Sequence, residues 1–140
     1  MIRVLTPALA AIALSTLPLR AASLHVEVSG IASNAGEIGC ALFAEGEPFP
    51  GGNATTRTAW EKADPAGVTC RFEKLPAGRY AVAVSHDVNG NRKLDTNVFG
   101  IPREDWAVTN NIRPVMRAPR FDEAAIRVDG RTRTTVDIAR

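Results

Sequence analysis

The chain has 140 residues, 45% of them hydrophobic, with 17 Lys+Arg against 15 Asp+Glu. That length suits one domain and is too short for two comfortable ones. Arg3 and Arg20 lie in an N-terminal stretch without acids, so the remainder balances at 15 (17 minus 2) against 15, which excludes the basic footprint of a nucleic-acid binder.

Residues 1–22 of "MIRVLTPALAAIALSTLPLRAAS" read as a signal peptide, leaving 23–140 as a single domain. Arg3 supplies the positive start, Val4 to Leu19 an apolar run, and Leu19-Arg20-Ala21 or Ala21-Ala22-Ser23 a small-residue cleavage site. Pro7 and Pro18 break the run, which falls short of the roughly 18 to 20 residues a spanning helix needs. A periplasmic or secreted protein is therefore expected, with no stable membrane insertion after cleavage; a retained N-terminal anchor is the alternative.

From Leu24 onward apolar and polar side chains alternate, the mark of half-buried strands. "LHVEVSGI" puts Leu24, Val26 and Val28 on one face, and "EIGCALF" does the same with Ile38, Cys40 and Leu42. The segment "AEGEPFPGGNATTRTAWEKADPAG" is irregular, and its middle, Ala54 to Ala63, is expected to form a short helix carrying Trp60. "GVTCRFEKL" and "RYAVAVSHD" resume the alternation with Val68, Cys70, Phe72, Tyr80, Val82 and Val84. Near the end, Ile126 and Val128 precede Asp129-Gly130 and then Thr134, Val136 and Ile138, the pattern of a hairpin. Seven arginines against four acids in the last thirty residues read as a solvated strand face.

Many short strands without a long amphipathic helix predict an all-β, antiparallel β-sandwich of about seven strands, immunoglobulin-like in kind. The two cysteines, Cys40 and Cys70, sit on apparent strands, and an even count in an exported protein favours a disulfide. Two buried thiols acting as small hydrophobes are the alternative.

The Leu-Pro-x-Gly-x-Tyr turn in "LPAGRYAVAV" resembles that of the carboxypeptidase-regulatory and transthyretin (prealbumin)-like sandwiches. "LPAGRYAVAVSHDVNGNRKLDTNVFGIPREDW", the pair Asn110-Asn111 and "APRFDEAAIRV" are similar to the bacterial secreted family catalogued as domain of unknown function 2141, from about Leu24 to the end. The resemblance implies an exported β-sandwich and no settled activity.

"SHDVNGNRKLDTNVFG" concentrates oxygen carriers at alternate positions. With Asp87 as position one, Asn89 falls at three, Asn91 at five, Lys93 at seven with its carbonyl, and Asp95 at nine, the spacing of calcium loops in EF-hands and dockerins. Arg92 stands where an EF-hand has its sharp-turn glycine, and Val98 where it has its bidentate glutamate. Glu104, or Asp105, is the nearest replacement acid, and Asn97 adds a carbonyl. A weak calcium site is expected, with affinity about 10⁻⁴ to 10⁻³ M; a polar Asn-Gly turn is the alternative. With His25 and His86 the only histidines, zinc or copper has thin support.

Ser85, His86 and Asp87 contain the residue types of a hydrolase triad, but neighbours on a strand point to opposite faces and cannot converge. No nucleophile elbow, zinc-protease helix or phosphate-cradling loop is present, so no enzyme is expected. The expected function is an exported binding or accessory module whose calcium loop orders a surface, with Trp106, Asn110 and Asn111 meeting a glycan, peptide or envelope protein; Phe99 is expected to pack in the core. The alternatives are a structural envelope protein with a metal-free loop, or a carrier of a small ligand.

Overall fold

A computed structural model describes residues 20–98 and 101–139. The predicted signal segment falls almost wholly outside the described residues, as does Phe99. Among the described residues eight strands form two sheets: β1 (Ala22–Ser29), β2 (Glu37–Ala44), β3 (Arg57–Lys62), β4 (Val68–Leu75), β5 (Gly78–Asp87), β6 (Trp106–Val108), β7 (Ile126–Val128) and β8 (Arg131–Asp137). A 3₁₀ turn, Thr109–Asn111, and a one-turn helix α1, Phe121–Ala124, lie between β6 and β7.

One sheet has the order β4-β1-β8 and the other β3-β2-β5-β6, with β7 also paired to β5. Leu24, Val26, Val28, Cys70, Phe72, Val136 and Ile138 from the first sheet face Ile38, Cys40, Leu42, Val82 and Val84 from the second, and together they form the main core. The chain is thus a β-sandwich, as alternation predicts. Pairing is antiparallel throughout the named strands except between β1 and β8, which run parallel. Cys40 and Cys70 are joined, with Cα atoms 6.4 Å apart, tying β2 of one sheet to β4 of the other across the core. Among the described residues no helix is long and apolar enough to cross a membrane.

Two expectations are corrected. Ala54 to Ala63 is not a helix: Arg57–Lys62 is edge strand β3, paired antiparallel with β2. The alternation Thr58, Trp60 against Arg57, Ala59, Glu61 and the β-preferring Thr and Trp suit a pleated surface, and Gly39 opposite Trp60 supplies the space that its ring fills. Asp129-Gly130 does not close a hairpin either: β7 pairs with β5 while β8 pairs with β1. Gly130, at φ +65°, turns the chain from one sheet to the other.

The Leu-Pro-x-Gly-x-Tyr turn is closed by a side chain. Tyr80 Oη donates to the Pro76 carbonyl at 2.7 Å, the geometry of a tyrosine corner. Beyond it, β5 carries both the polar loop at its C-terminal end and small residues along its outward face.

Candidate functional site

The polar loop begins where β5 ends. Asp87 is 1% exposed, because the preceding connection runs against it: a Cβ on Gly36 would lie 1.9 Å from the Asp87 carbonyl oxygen. The Asp87 carboxylate caps the loop, Oδ1 accepting from the N–H of Gly90 (2.9 Å) and Asn91 (3.2 Å), and Oδ2 from that of Arg92. Asn89 Oδ1 accepts from Asn91 N at 3.1 Å, and Asn91 Oδ1 from Lys93 N at 2.9 Å. Positions one, three and five therefore each turn a side-chain oxygen back into the loop, the consequence of short oxygen-bearing side chains that bond their own backbone.

Asp95 closes the ring from the far side. Its carboxylate accepts from Asn89 Nδ2 at 2.6 Å and from Asn91 Nδ2 at 2.9 and 3.1 Å. Glu104, 9% exposed, reaches back so that its Oε2 accepts from Asp95 N at 3.2 Å. Burial, with the nearby Asp95 and Asp87 charges adding to it, holds the Glu104 carboxyl above its usual value. Asn97 is drawn elsewhere, its Oδ1 accepting from Ile101 N at 3.0 Å. Lys93 contributes only its backbone to this arrangement; its side chain is exposed.

The structure thus brings Asp87, Asn89, Asn91, Asp95 and Glu104 together and leaves Asn97 beside them. Their donor chemistry is that of a hard oxygen-binding cation, with amide oxygens outnumbering what a strong calcium site has. Among the described residues no three His, Cys, Asp or Glu side chains group as a metal site. His86 is 1% exposed and its Nε2–H donates to the Ala35 carbonyl at 2.7 Å, which fixes a structural role on the strand.

Arg92 links the loop to the sheet. It adopts φ +55°, the left-handed conformation that position six of such a loop demands. Its side chain makes a bidentate pair with Glu37, both bonds 3.0 Å, and the guanidinium lies 5.1 Å from the Trp60 ring centre. This pairing lowers the Glu37 carboxyl and raises the Arg92 guanidinium relative to their ordinary values.

Trp60 belongs to a row that crosses four strands. Trp60 pairs with Gly39, Gly39 with Ser85, and Ser85 with Trp106. The next row is Thr58, Ala41, Ala83 and Val108. Large side chains at the margins and small ones between leave a groove of about 390 Å³, lined also by Arg92, Leu94, Pro50 and Gly51. Farther along the same face, Phe43, Phe49 and Phe121 stack edge to face at 5.1 and 6.1 Å and close it over.

Asn110 and Asn111 lie apart from this groove's lining. Both take left-handed φ, +63° and +52°, which asparagine tolerates best among non-glycine residues. Asn110 Nδ2 donates to the carbonyls of Glu123 (3.0 Å) and Ala125 (3.2 Å), and Asn111 Oδ1 accepts from Asp137 N at 2.9 Å. They latch the turn to α1 and β8. The sequence pointed to Trp106 and missed Trp60, Gly39, Ser85 and Arg92; the available signal was the run of small residues, Gly39, Ala41, Ala81, Ala83 and Ser85, at outward positions where a solvated sheet carries polar ones.

A model of the bacterial family described as "Uncharacterized protein conserved in bacteria (DUF2141)" matches residues 26–136. No curated protein and no solved structure matches the chain.

Proposed function

We propose that this chain, which belongs to the DUF2141 family, is a non-catalytic binding module of an exported compartment, in which a weak calcium loop orders a recognition surface on the adjoining sheet. The observation that carries this reading is the placement of Arg92. Its backbone N–H is held by Asp87 within the loop while its side chain covers Trp60 and pairs with Glu37 on the sheet. Calcium taken up by the oxygens of Asp87, Asn89, Asn91 and Asp95, the Lys93 carbonyl and Glu104 would displace the amide N–H groups that now face Asp95 and tighten the backbone carrying Arg92. The disulfide supports an oxidising compartment, periplasmic or extracellular. Envelope proteins, peptides and glycans are the partner classes such a surface serves.

Calorimetric titration of the chelator-treated protein with calcium tests this reading, with melts in calcium and in chelator. At ten times a dissociation constant of about 10⁻³ M, binding adds about 1.4 kcal/mol, a melting shift of roughly 5 °C for a domain of this size. Asp95→Asn, which keeps the loop's shape and loses one anionic ligand, is expected to abolish both heat and shift. No heat at several millimolar calcium rejects the reading.

One observation favours the alternative of a metal-free loop that serves stability. Asp87 is already satisfied by three N–H groups and Asp95 by two amides. On that reading Asp95→Asn changes the melting temperature equally with and without calcium.

A further inference from the structure

We infer that the groove between Trp60 and Trp106 is a carbohydrate-binding site for a neutral sugar of one or two pyranose rings. The inference rests on the proposed reading only where it makes Arg92, and so the calcium loop, one wall of the site.

Strand spacing sets the slot. Neighbouring strands lie about 4.8 Å apart, so the outer Cα atoms of a four-strand row are about 14 Å apart. Trp60 leans over Gly39, where an added Cβ would lie 2.5 Å from its ring. What remains between the two tryptophans is a floor of small side chains, Ser85, Ala41 and Ala83. The volume, about 390 Å³, lies in the range of small-ligand sites.

The lining chooses the ligand. Indole and alanine surfaces offer apolar contact: both tryptophans are half-buried, Trp60 with Arg92 over its ring and Trp106 at the opposite margin of the row. Ser85, Thr58 and both tryptophans line the groove, and none of the four side chains makes a hydrogen bond to a described residue. The one cation, Arg92, is balanced by Glu37, so the site does not select an anion. A pyranose has apolar C–H faces and a rim of neutral hydroxyls and matches this lining. A purely apolar ligand seated here would cover the Ser85 and Thr58 hydroxyls without pairing them, at a cost. A peptide strand would pair with a sheet edge, and this floor is the face of two inner strands.

Trp60 and Trp106 are the chain's two tryptophans, so selectively excited tryptophan emission reports on this groove alone. The oxidised protein is titrated with cellobiose and with chitobiose, in calcium and in chelator. A saturable change in emission is expected with at least one of them, weakened about tenfold or more in Trp106→Ala and abolished in Ser85→Leu, which fills the floor. The second variant guards against a Trp106→Ala that fails to fold. Equal binding in calcium and chelator leaves the groove as the site and removes its coupling to the loop. No saturable change with either sugar, in a protein that gives calcium heat, overturns the inference and leaves the calcium reading standing. Unchanged affinity in Ser85→Leu, or saturation by a proline-rich peptide and not by either sugar, also overturns it.

Discussion

Arg92 carries two opposed effects. Its left-handed backbone is strained in a residue with a Cβ, and its ion pair with Glu37 and its contact with the Trp60 ring offset that strain. Arg92→Gly, which relieves the strain as it loses the contacts, is therefore expected to unfold at a denaturant midpoint closer to the parent's than Arg92→Ala, which keeps the strain and loses the contacts. Denaturant melts of the two variants check the difference, and both should increase collisional quenching of Trp60. Gly36 has no such latitude. With φ +70° and the Asp87 carbonyl where a Cβ would sit, Gly36→Ala is expected to cost about 3 kcal/mol or more, measured as a drop in denaturant midpoint. Tyr80→Phe removes one hydrogen bond to Pro76 and should cost about 1 kcal/mol.

Among the elements, α1 is too short to stand on propensity. Glu123 holds it: its Oε2 accepts from Arg120 N at 3.0 Å, and both carboxylate oxygens accept from Arg117 at 2.6 and 2.8 Å. The Arg117 bonds, then the Arg120 N–H, bring the Glu123 carboxyl from 4.5 down to about 2. A depressed carboxyl stabilises the fold fully above its unfolded value, and the contribution is lost as pH falls from 4.5 through about 2. Glu123→Gln should remove that part of the acid dependence, seen as a flatter melting-temperature profile across the same interval. Strand identity was mostly legible at this scale, because one period-two stripe marks each core strand. β3 was not, since its apolar residue Trp60 packs over the neighbouring Gly39 on the outer face, and no local signal reports a partner twenty-one residues away. The β7–β8 pattern misled for the same reason: a turn residue specifies a change of direction and leaves the next pairing partner open.

For the whole molecule, the Cys40–Cys70 bond closes a loop of 30 residues between the sheets. It should stabilise the fold by about 3 kcal/mol, mainly through the unfolded chain. Reduction, or a Cys40→Ala/Cys70→Ala pair, is expected to lower the melting temperature by roughly 10 °C, read in parallel melts with and without reductant. By itself the sequence determined the sandwich, the buried face of most strands and the oxygen-rich loop, because alternation and short-range spacing are properties of consecutive residues. The tertiary structure alone decided that Trp60, Gly39, Ser85 and Trp106 stand in one row, that Arg92 reaches Trp60, and that β8 joins β1. Those facts depend on which strands become neighbours, and that choice is made by packing two faces into one core rather than by any local stretch of the chain.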